Sequence, residues 1–360
     1  MNQYRIRAIP GDGIGLEVMR EAKRVLQSIE RLHGGIHFDV TELPWGCRYY
    51  LEHHRMMPPD GMAVLADCDA ILLGAVGYPG VPDHVSLRGL LLPIRREFDQ
   101  YVNLRPIRYM DGMVSPLALR KGSLIDFTVI RENTEGEYCG IGRLDHAGTD
   151  QETAIQEARF TRTGTGRIIR YAFEFARKHG RSHLVSATKS NALNYSMVFW
   201  DRIFDDIRGD YPEIDSRSVH VDALSGLFIL KPEMFDVVVA SNLFGDILTD
   251  LGSAILGSIG ISPSANINPE KTWPSMFEPV HGSAPDIAGQ GIANPIGMLW
   301  STVLMLDHLG LPQEGDLLFR AMGNVISNRR LRTPDLGGGC TTSEVTDAVI
   351  AALPSPGKRG

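Results

Sequence analysis

Short runs of β-branched and apolar residues alternate along the chain with longer segments in which apolar residues recur every three or four positions. The short runs have the length and composition of buried strands, and the longer segments have the period of amphipathic helices. The predicted strands cover residues 5–9, 36–43, 70–75, 127–130, 184–187, 218–221 and 235–240. The predicted helices cover residues 16–32, 88–100, 165–179, 192–208, 295–309 and 314–328. Strands that alternate with helices predict an α/β protein with a largely parallel sheet.

One segment breaks this alternation. Residues 139–160 are polar, contain glycines near their start and show no clear helix face. A segment of this length without a core of its own is unusual inside a compact domain. The pattern leaves two interpretations open: an arm that packs on a second subunit, or a surface loop.

Composition narrows the class of protein. The 360 residues are 43% hydrophobic, which is enough for two domains or one large α/β unit. The net charge of −7 does not favour binding to nucleic acid or to an anionic membrane, and no apolar run approaches the roughly 20 residues of a membrane span. The four cysteines are far apart in sequence and form no C-x-x-C pair, which predicts reduced thiols in a cytoplasmic protein without a zinc cluster.

Two acidic residues stand at a predicted strand–helix junction. Asp246 and Asp250 follow the apolar run 235–240 in the stretch FDVVVASNLFGDILTDLGS. Positions four apart share one face of a helix, and two carboxylates on one face suit a hard cation such as Mg²⁺ or Mn²⁺. The alternative is a charge that interacts with the helix dipole together with a solvated Asp.

Three arginines are candidates for substrate binding. Arg105 lies in VNLRP and Arg131 in VIREN, each beside a strand-like run, and Arg95 lies in a predicted helix. The planar guanidinium group binds carboxylates through two parallel hydrogen bonds. A substrate with two carboxylates would use several such groups, although any one arginine could simply be a surface charge.

Three further residues have side chains suited to proton transfer. Tyr138 follows Arg131 by seven positions, Lys189 follows the strand 184–187, and Asp222 stands at the end of the strand 218–221. Ligand sites of α/β proteins form at strand ends. A tyrosine near a cationic centre can act as a general acid, and a lysine near a metal can act as a base.

Two glycine-containing blocks invite a dinucleotide interpretation. PGDGIG, residues 10–15, departs from the G-x-G-x-x-G fingerprint and is better explained as a tight turn. EPVHGSAPDIAGQGIANP, residues 278–295, has few large side chains, so its backbone is available for binding. Gly282 and Ser283 have N–H groups for a pyrophosphate, Asp286 suits the two hydroxyls of an adenosine ribose and disfavours NADP, and Asn294 suits an adenine edge.

Together these blocks resemble the β-decarboxylating dehydrogenases, the family of isocitrate, 3-isopropylmalate, homoisocitrate and D-malate/tartrate dehydrogenases. The similarity runs from PGDGIG through NLRP, VIRENTEGEY, TKSN, VDA, NLFGDILTD and EPVHGSAPDIAG to PDLGGG, which is nearly the whole chain. NLFGDILTD and EPVHGSAPDIAG are its most specific motifs. The stretches PDHVSL, FDQYVNLRP and SPSANINPE are closest to the D-malate/tartrate branch.

The resemblance implies an isopropylmalate dehydrogenase-like, two-domain α/β fold with central sheets flanked by helices, unlike a standard Rossmann fold. Residues 1–101 and 257–360 would form the nucleotide-binding domain. Residues 102–256 would form the central domain, with a dimerisation arm at about 139–160. A homodimer with shared active sites would place each site between domains and partner subunits.

The resemblance also implies the role of each candidate residue. Arg95, Arg105 and Arg131 would bind the substrate, and Asp246 and Asp250 would bind Mg²⁺ or Mn²⁺ together with Asp222 of the other chain. Lys189 of the other chain would help to remove the hydroxyl proton, Asp222 would also serve catalysis, and Tyr138 would protonate the product carbanion. NAD would be held by His281, Gly282, Ser283, Ala284, Asp286 and Asn294. A requirement for K⁺ stays open.

The implied reaction is the oxidative decarboxylation of a small 2-hydroxy dicarboxylate: D-malate to pyruvate and CO₂, with oxidation or decarboxylation of tartrate. The segment 85–94, VSLRGLLLPI, has Arg88 where that branch favours a bulky aromatic residue. Leu90, Leu91 and Leu92 could line a pocket for an isopropyl group, and we take Leu91 as a further substrate-binding candidate. A 3-isopropylmalate dehydrogenase and a non-catalytic regulatory subunit of the same fold are therefore the alternatives.

Overall fold

The computed structural model describes residues 2–110, 112–117 and 125–354. Contacts between Cα atoms divide the chain into two compact units. The first unit comprises residues 1–100, 109–119 and 253–360, and the second comprises residues 101–108 and 120–252. Both ends of the chain therefore contribute to the first unit.

The first unit is built on a mixed sheet. Its strands are β1 (Asn2–Gly11), β2 (Ile36–Glu42), β3 (Ala70–Ala75), β11 (Pro263–Ile267) and β12 (Ser275–Pro279). They lie in the order β2-β1-β3-β12-β11, and all neighbours are parallel except β11 and β12. The core residues of β3 are completely covered because helices pack on the sheet. Strands buried on both faces carry continuous apolar runs, which explains the sequence AILLGA of β3.

Eight α-helices belong to the described part of this unit. They are α1 (Gly15–His33), α2 (Cys47–His53), α3 (Gly61–Ala66), α4 (Asp83–Ser86), α5 (Leu92–Glu97), α10 (Ile296–His308), α11 (Pro312–Ser327) and α12 (Thr342–Ala352). A π-helical turn, Leu87–Leu91, connects α4 to α5, so the predicted helix 88–100 begins earlier and contains an irregularity. Helix α12 begins with a capping box formed by Thr341 and Glu344, a motif that fixes a helix start.

The second unit has its own mixed sheet. Its strands are β4 (Val102–Arg108), β5 (Asp126–Glu132), β8 (His183–Thr188), β9 (Asp215–His220) and β10 (Val237–Ala240). They lie in the order β4-β5-β10-β8-β9, with only β4 and β5 antiparallel. The helices are α6 (Arg162–Lys178), α7 (Ser196–Arg208), α8 (Val221–Leu230) and α9 (Asn242–Leu256), of which residues 242–252 of α9 belong to this unit. Val221, predicted to end a strand, instead begins α8.

Residues 139–160 contain a separate two-stranded hairpin. Strands β6 (Gly142–Asp145) and β7 (Thr153–Gln156) pair in an antiparallel register, and most of their residues are exposed. The sequence pattern gave no sign of this hairpin. Its side chains lack a covered apolar face, so the alternation that usually marks a strand is absent.

The prediction of an α/β fold with a largely parallel sheet is confirmed. In the described part of the chain, no helix is both long enough and apolar enough to span a bilayer.

Candidate active site

Arg131 is the most deeply buried charged group of the second unit's candidate site. It stands at the carboxyl end of β5, and its side chain is only 3% exposed. Its Nε donates to the carbonyl oxygen of Asn242 at 2.8 Å, and its Nη2 donates to Oδ1 of the same residue at 2.6 Å. Its Nη1 donates to Oδ1 of Asp246 at 2.7 Å. Because α9 supplies all three acceptors, the guanidinium group is fixed against the first turns of that helix.

Gly245 makes this close approach possible. A Cβ atom built on Gly245 would lie 2.5 Å from Cγ of Arg131 and 2.7 Å from its Cβ. Real Cβ atoms essentially never come so close to another carbon. Glycine in NLFGDILTD therefore allows the arginine stem to cross the helix surface.

Arg105 reaches the same carboxylate from the neighbouring strand β4. Its Nη1 donates to Thr249 Oγ1 at 2.6 Å and to Asp246 Oδ1 at 3.3 Å. The Arg105 side chain is 8% exposed, whereas that of Asp246 is 36% exposed. Two buried cations thus share one oxygen of a carboxylate whose side chain is partly exposed to solvent.

Tyr138 completes this cluster. Its hydroxyl donates to Asp246 Oδ2 at 3.1 Å, and its ring centroid lies 5.7 Å from Cζ of Arg131. The neighbouring Glu137 accepts hydrogen bonds from Ser241 Oγ at 3.0 Å and from the N–H of Leu243 at 3.2 Å. Glu137 therefore attaches the turn that carries Tyr138 to the start of α9.

Asp250 lies one helical turn after Asp246. Partial burial, followed by the negative charge of Asp246, raises the pKa of Asp250, while Arg105 and Arg131 act in the opposite direction. Two carboxylates on one helix face repel each other when both are ionised. A cation bound to both would remove that repulsion.

Lys189 and Asp222 form a second cluster in the same unit. Lys189 follows β8, and Asp222 lies in the first turn of α8, where the positive end of the helix dipole favours an acidic residue. Lys189 Nζ lies 2.9 Å from Asp222 Oδ1, and their side chains are 27% and 66% exposed. The hydrogen bond from Lys189 lowers the pKa of Asp222. Both side chains are therefore at least partly exposed to solvent.

The third predicted arginine lies in the first unit. Arg95 on α5 donates from Nη2 to Glu278 Oε1 at 2.7 Å, and Asn266 donates to the same oxygen from Nδ2 at 2.7 Å. Both side chains of the ion pair are 11% exposed. Leu91, at the end of the π-helical turn, is 8% exposed and belongs to a core cluster that also contains Leu90.

The predicted nucleotide-binding residues lie in a segment without helix or strand, residues 280–295. Ser283 is buried, whereas Gly282 and Asp286 are exposed. Ala284 adopts a left-handed backbone conformation with φ of +39°. His281 contacts the carbonyl oxygen of Gly282 through Nδ1 at 2.9 Å, and burial lowers its pKa.

Asn294, at the end of this segment, is held by a residue that the sequence did not suggest. Its Nδ2 donates to Asp335 Oδ2 at 3.0 Å, and its Oδ1 accepts the N–H of Ile296 at 3.0 Å. The sequence analysis also did not identify three residues of the second unit that contact the site: Asn242, Gly245 and Thr249. Their spacing of three to four residues around Asp246 and Asp250 on one helix was the signal that could have identified them.

Comparison with known proteins assigns the family. A family model described as isocitrate/isopropylmalate dehydrogenase matches residues 5–349. The chain belongs to this family. The resemblance inferred from the sequence motifs is thereby confirmed.

Close relatives within the isocitrate/isopropylmalate dehydrogenase family are known by name. The chain is 54% identical to the "Probable tartrate dehydrogenase/decarboxylase" of Bacillus subtilis over 98% of this chain and 99% of the relative. It is 52% identical to the "D-malate dehydrogenase [decarboxylating]" of Escherichia coli, again over 98% of this chain and 99% of the relative. The crystal structure of isocitrate dehydrogenase from Methylococcus capsulatus matches 97% of this chain and 99% of its own length, with a TM-score of 0.87 and 32% identity. The predicted fold class is therefore confirmed.

The donor atoms present fit the divalent ion that this family implies. Asp246 and Asp250 offer carboxylate oxygens, which hard cations prefer, and their mutual repulsion provides a reason to bind one. Within the described ranges, no group of three or more His, Cys, Asp or Glu side chains comes together in one chain.

Proposed function

We propose that this chain is an NAD-dependent and Mg²⁺- or Mn²⁺-dependent dehydrogenase that oxidises and decarboxylates D-malate to pyruvate and CO₂, and that also acts on tartrate. Membership of the isocitrate/isopropylmalate dehydrogenase family and the names of the two relatives support this proposal. Dehydrogenases of this family act on small hydroxy acids. The observation that carries the proposal is the cluster of Arg105, Arg131 and Tyr138 around the single carboxylate of Asp246.

Arg105 and Arg131 would bind the substrate's carboxylate and hydroxyl groups. Both arginine side chains are buried, and both form ion pairs with Asp246, which is itself partly exposed to solvent. These ion pairs hold the guanidinium groups in place before a ligand arrives. Fixed donors lose little conformational entropy on binding. Arg95, held by Glu278, would supply a further contact, and Leu91 would contact the carbon skeleton.

A divalent ion, when bound by Asp246, Asp250 and Asp222 of a second copy, would withdraw electron density from the substrate's oxygen atoms during oxidation and loss of CO₂. Lys189 would accept the proton of the substrate hydroxyl as NAD takes the hydride. Asp222, 2.9 Å from Lys189, would orient it. Tyr138 would then donate its proton to the carbon that has lost CO₂, so that D-malate and NAD⁺ give pyruvate, CO₂ and NADH.

We further propose a homodimer with shared active sites. Large apolar side chains of the second unit are exposed on α8 and α9, with Leu230 at 76% and Ile247 at 55%, and Tyr195 before α7 is 92% exposed. In a homodimer, the partner subunit would cover large apolar side chains of this kind. The hairpin β6–β7 would serve as the arm of the dimer, with residues 102–256 as the central domain and residues 1–101 plus 257–360 as the nucleotide-binding domain.

The cytoplasm is the location that we propose. All four cysteines lie in the described ranges and are free thiols. Unpaired cysteines are the norm in a reducing compartment.

A substrate panel tests the proposed function. Purified protein would be incubated with NAD or NADP, with Mn²⁺ or EDTA, and with D-malate, tartrate or 3-isopropylmalate, while NADH formation and CO₂ release are followed. We expect NAD-dependent turnover of D-malate and tartrate that EDTA abolishes. Turnover of 3-isopropylmalate alone would contradict the substrate assignment, and full activity in EDTA would contradict the role of the metal. No turnover with any substrate would favour the regulatory subunit.

A further inference from the structure

The PGDGIG turn, which does not match a dinucleotide fingerprint, lies directly against the segment 280–295. The N–H of Ile14 donates to the carbonyl oxygen of Ser283 at 2.9 Å. Gly13 has φ of +55°, and a Cβ atom there would lie 2.0 Å from the same oxygen. The turn therefore touches the backbone of the predicted NAD-binding segment rather than presenting its own glycines to a ligand.

Asp12 holds the interior of the turn through buried hydrogen bonds. Asp12 is 1% exposed, and its carboxylate accepts N–H groups from Cys47 at 3.0 Å and from Gly77 at 3.0 Å. A Cβ atom on Gly77 would lie 3.2 Å from Oγ of Ser283. Hydrogen bonds to an ionised carboxylate are among the stronger ones in proteins, so these two bonds hold the turn against residues 47 and 77.

The first turn of α1 also contacts the segment 280–295. Oε1 of Glu17 accepts the N–H of Gly289 at 2.6 Å. Glu17 is 9% exposed, and its Oε2 is a buried atom with no hydrogen-bond partner among the described residues. A buried carboxylate with one unsatisfied oxygen is unfavourable for folding, so its presence points to a use other than stability.

The far end of the segment is held by the last helix. The N–H of Thr342 donates to the carbonyl oxygen of Gly291 at 2.8 Å, and its hydroxyl donates to that of Ala293 at 2.7 Å. Ala284 meanwhile keeps φ of +39°, a conformation that persists in non-glycine residues only when the surroundings impose it. The segment thus has a set conformation despite its lack of regular structure.

Contacts inside the segment connect Gln290, the residue after Gly289, to Asp286. The N–H of Ile287 donates to the carbonyl oxygen of Ala284 at 3.1 Å, and Gln290 donates from its N–H to Ile287 at 3.2 Å and from Nε2 to the carbonyl oxygen of Asp286 at 2.8 Å. A displacement of Gly289 would therefore act on Asp286 through Gln290. Asp286 is the residue predicted to bind the adenosine ribose.

We propose that Glu17 is a positioning residue for NAD: through Gly289 it sets the turn that carries Asp286, and it makes no contact with the cofactor itself. This inference rests on the proposed NAD-dependent function. Glu17, in the first turn of α1, would thus determine the affinity for NAD and would take no part in the chemical steps.

The test is NAD binding to the full chain by isothermal titration calorimetry without substrate, together with KM for NAD, KM for D-malate and kcat. For Glu17→Ala we expect the Kd and KM for NAD to rise about tenfold or more, as for the loss of one hydrogen bond to a charged group, with kcat and KM for D-malate unchanged. Glu17→Gln keeps a carbonyl oxygen for Gly289 and should bind NAD within about threefold of the wild type. Glu17→Asp shortens the side chain while keeping its charge, and it should weaken binding if Glu17→Ala does not fold.

Glu30→Ala is the matched control. Glu30 also lies on α1 and also accepts a backbone N–H, that of Phe38, but on the β2 side of the helix. Its loss should lower the melting temperature without changing NAD affinity. NAD binding within about twofold of the wild type in Glu17→Ala, or in Glu17→Asp where Glu17→Ala does not fold, would overturn the inference. Equal losses of NAD and D-malate affinity would overturn it as well. Absence of NAD binding in the wild type would instead overturn the proposed function, and the inference with it.

Discussion

Gly245→Ala is a one-methyl change whose effect on the candidate active site can be worked out from distances. The added Cβ would lie 2.5 Å from Cγ of Arg131, whereas ordinary contacts are 3.4–4 Å. The Arg131 stem must therefore shift by about 1 Å or the helix must move by as much. Arg131 is 3% exposed and makes three hydrogen bonds to Asn242 and Asp246, so it has little room to adjust.

We expect a large loss of activity with a moderate loss of stability. Overpacking of this kind costs about 1–3 kcal/mol of folding free energy. A 1 Å displacement of a substrate-positioning group costs about 100-fold in rate. Gly245→Ala should therefore lower kcat/KM for D-malate by about 100-fold while the protein stays folded and its NAD affinity is unchanged.

The assay compares kcat/KM, NAD affinity and urea unfolding for Gly245→Ala and for Gly323→Ala. Gly323 lies within α11, and a Cβ atom there meets nothing within 4 Å. The same change at Gly323 should leave activity intact and add about 0.5–1 kcal/mol of stability, because alanine is the better helix former. Wild-type kcat/KM in Gly245→Ala would refute the argument that Arg131 is held in a functional position by its contact with α9.

Three further predictions concern the proton-transfer and metal residues. Tyr138→Phe removes the hydroxyl that donates to Asp246. It should lower kcat by about 10²–10⁴-fold with little change in KM, because a general acid is lost. An unchanged kcat in steady-state assays would exclude that role. Lys189→Ala should abolish turnover, while NAD still binds in calorimetry. The reason is that Lys189 pairs with Asp222 and is not part of the predicted NAD-binding segment 280–295. Activity at the wild-type level would remove Lys189 from the mechanism. The raised pKa of Asp250 means that the folded chain holds this proton more tightly than the unfolded chain, so stability from this group is present at low pH and is lost as pH rises through the folded pKa. Asp250→Asn should therefore raise the melting temperature of the metal-free protein at pH 7 and remove the stabilisation by Mn²⁺, and a lower melting temperature without metal would contradict the repulsion between Asp246 and Asp250.

The elements that could be predicted from the sequence are those with a strong apolar period. Strands β3 and β10 are short apolar runs covered on both faces, and α1 and α6 have clear apolar stripes. Strand β11, with the sequence PSANI, has no such signal although four of its five residues are buried. Its Asn266 is buried because it hydrogen-bonds to Glu278, a partner that only the folded chain supplies.

The residue types of the candidate site could be predicted from the sequence, but the contacts between these residues could not. The pair Asp246 and Asp250 follows from helical spacing, which is local. That Arg105 and Arg131 share one oxygen of Asp246 depends on the antiparallel pairing of β4 with β5 and on their placement beside α9. Contacts between residues that are far apart in the chain do not produce a regular spacing in the sequence. The individual roles of these residues in catalysis stay predictions.

A carboxylate that serves two buried arginines and a tyrosine at once restricts how this enzyme can diverge. Replacement of Asp246 alone would leave two guanidinium groups, 8% and 3% exposed, without the counter-ion that they share. Compensation would require simultaneous changes on β4 and β5, so we expect single substitutions of Asp246 to be strongly destabilising. The segment 85–94 is the part of the predicted site that lies outside this cluster, so we predict that new substrate preferences arise there. A directed-evolution library should randomise that segment while it holds Asp246, Arg105 and Arg131 constant.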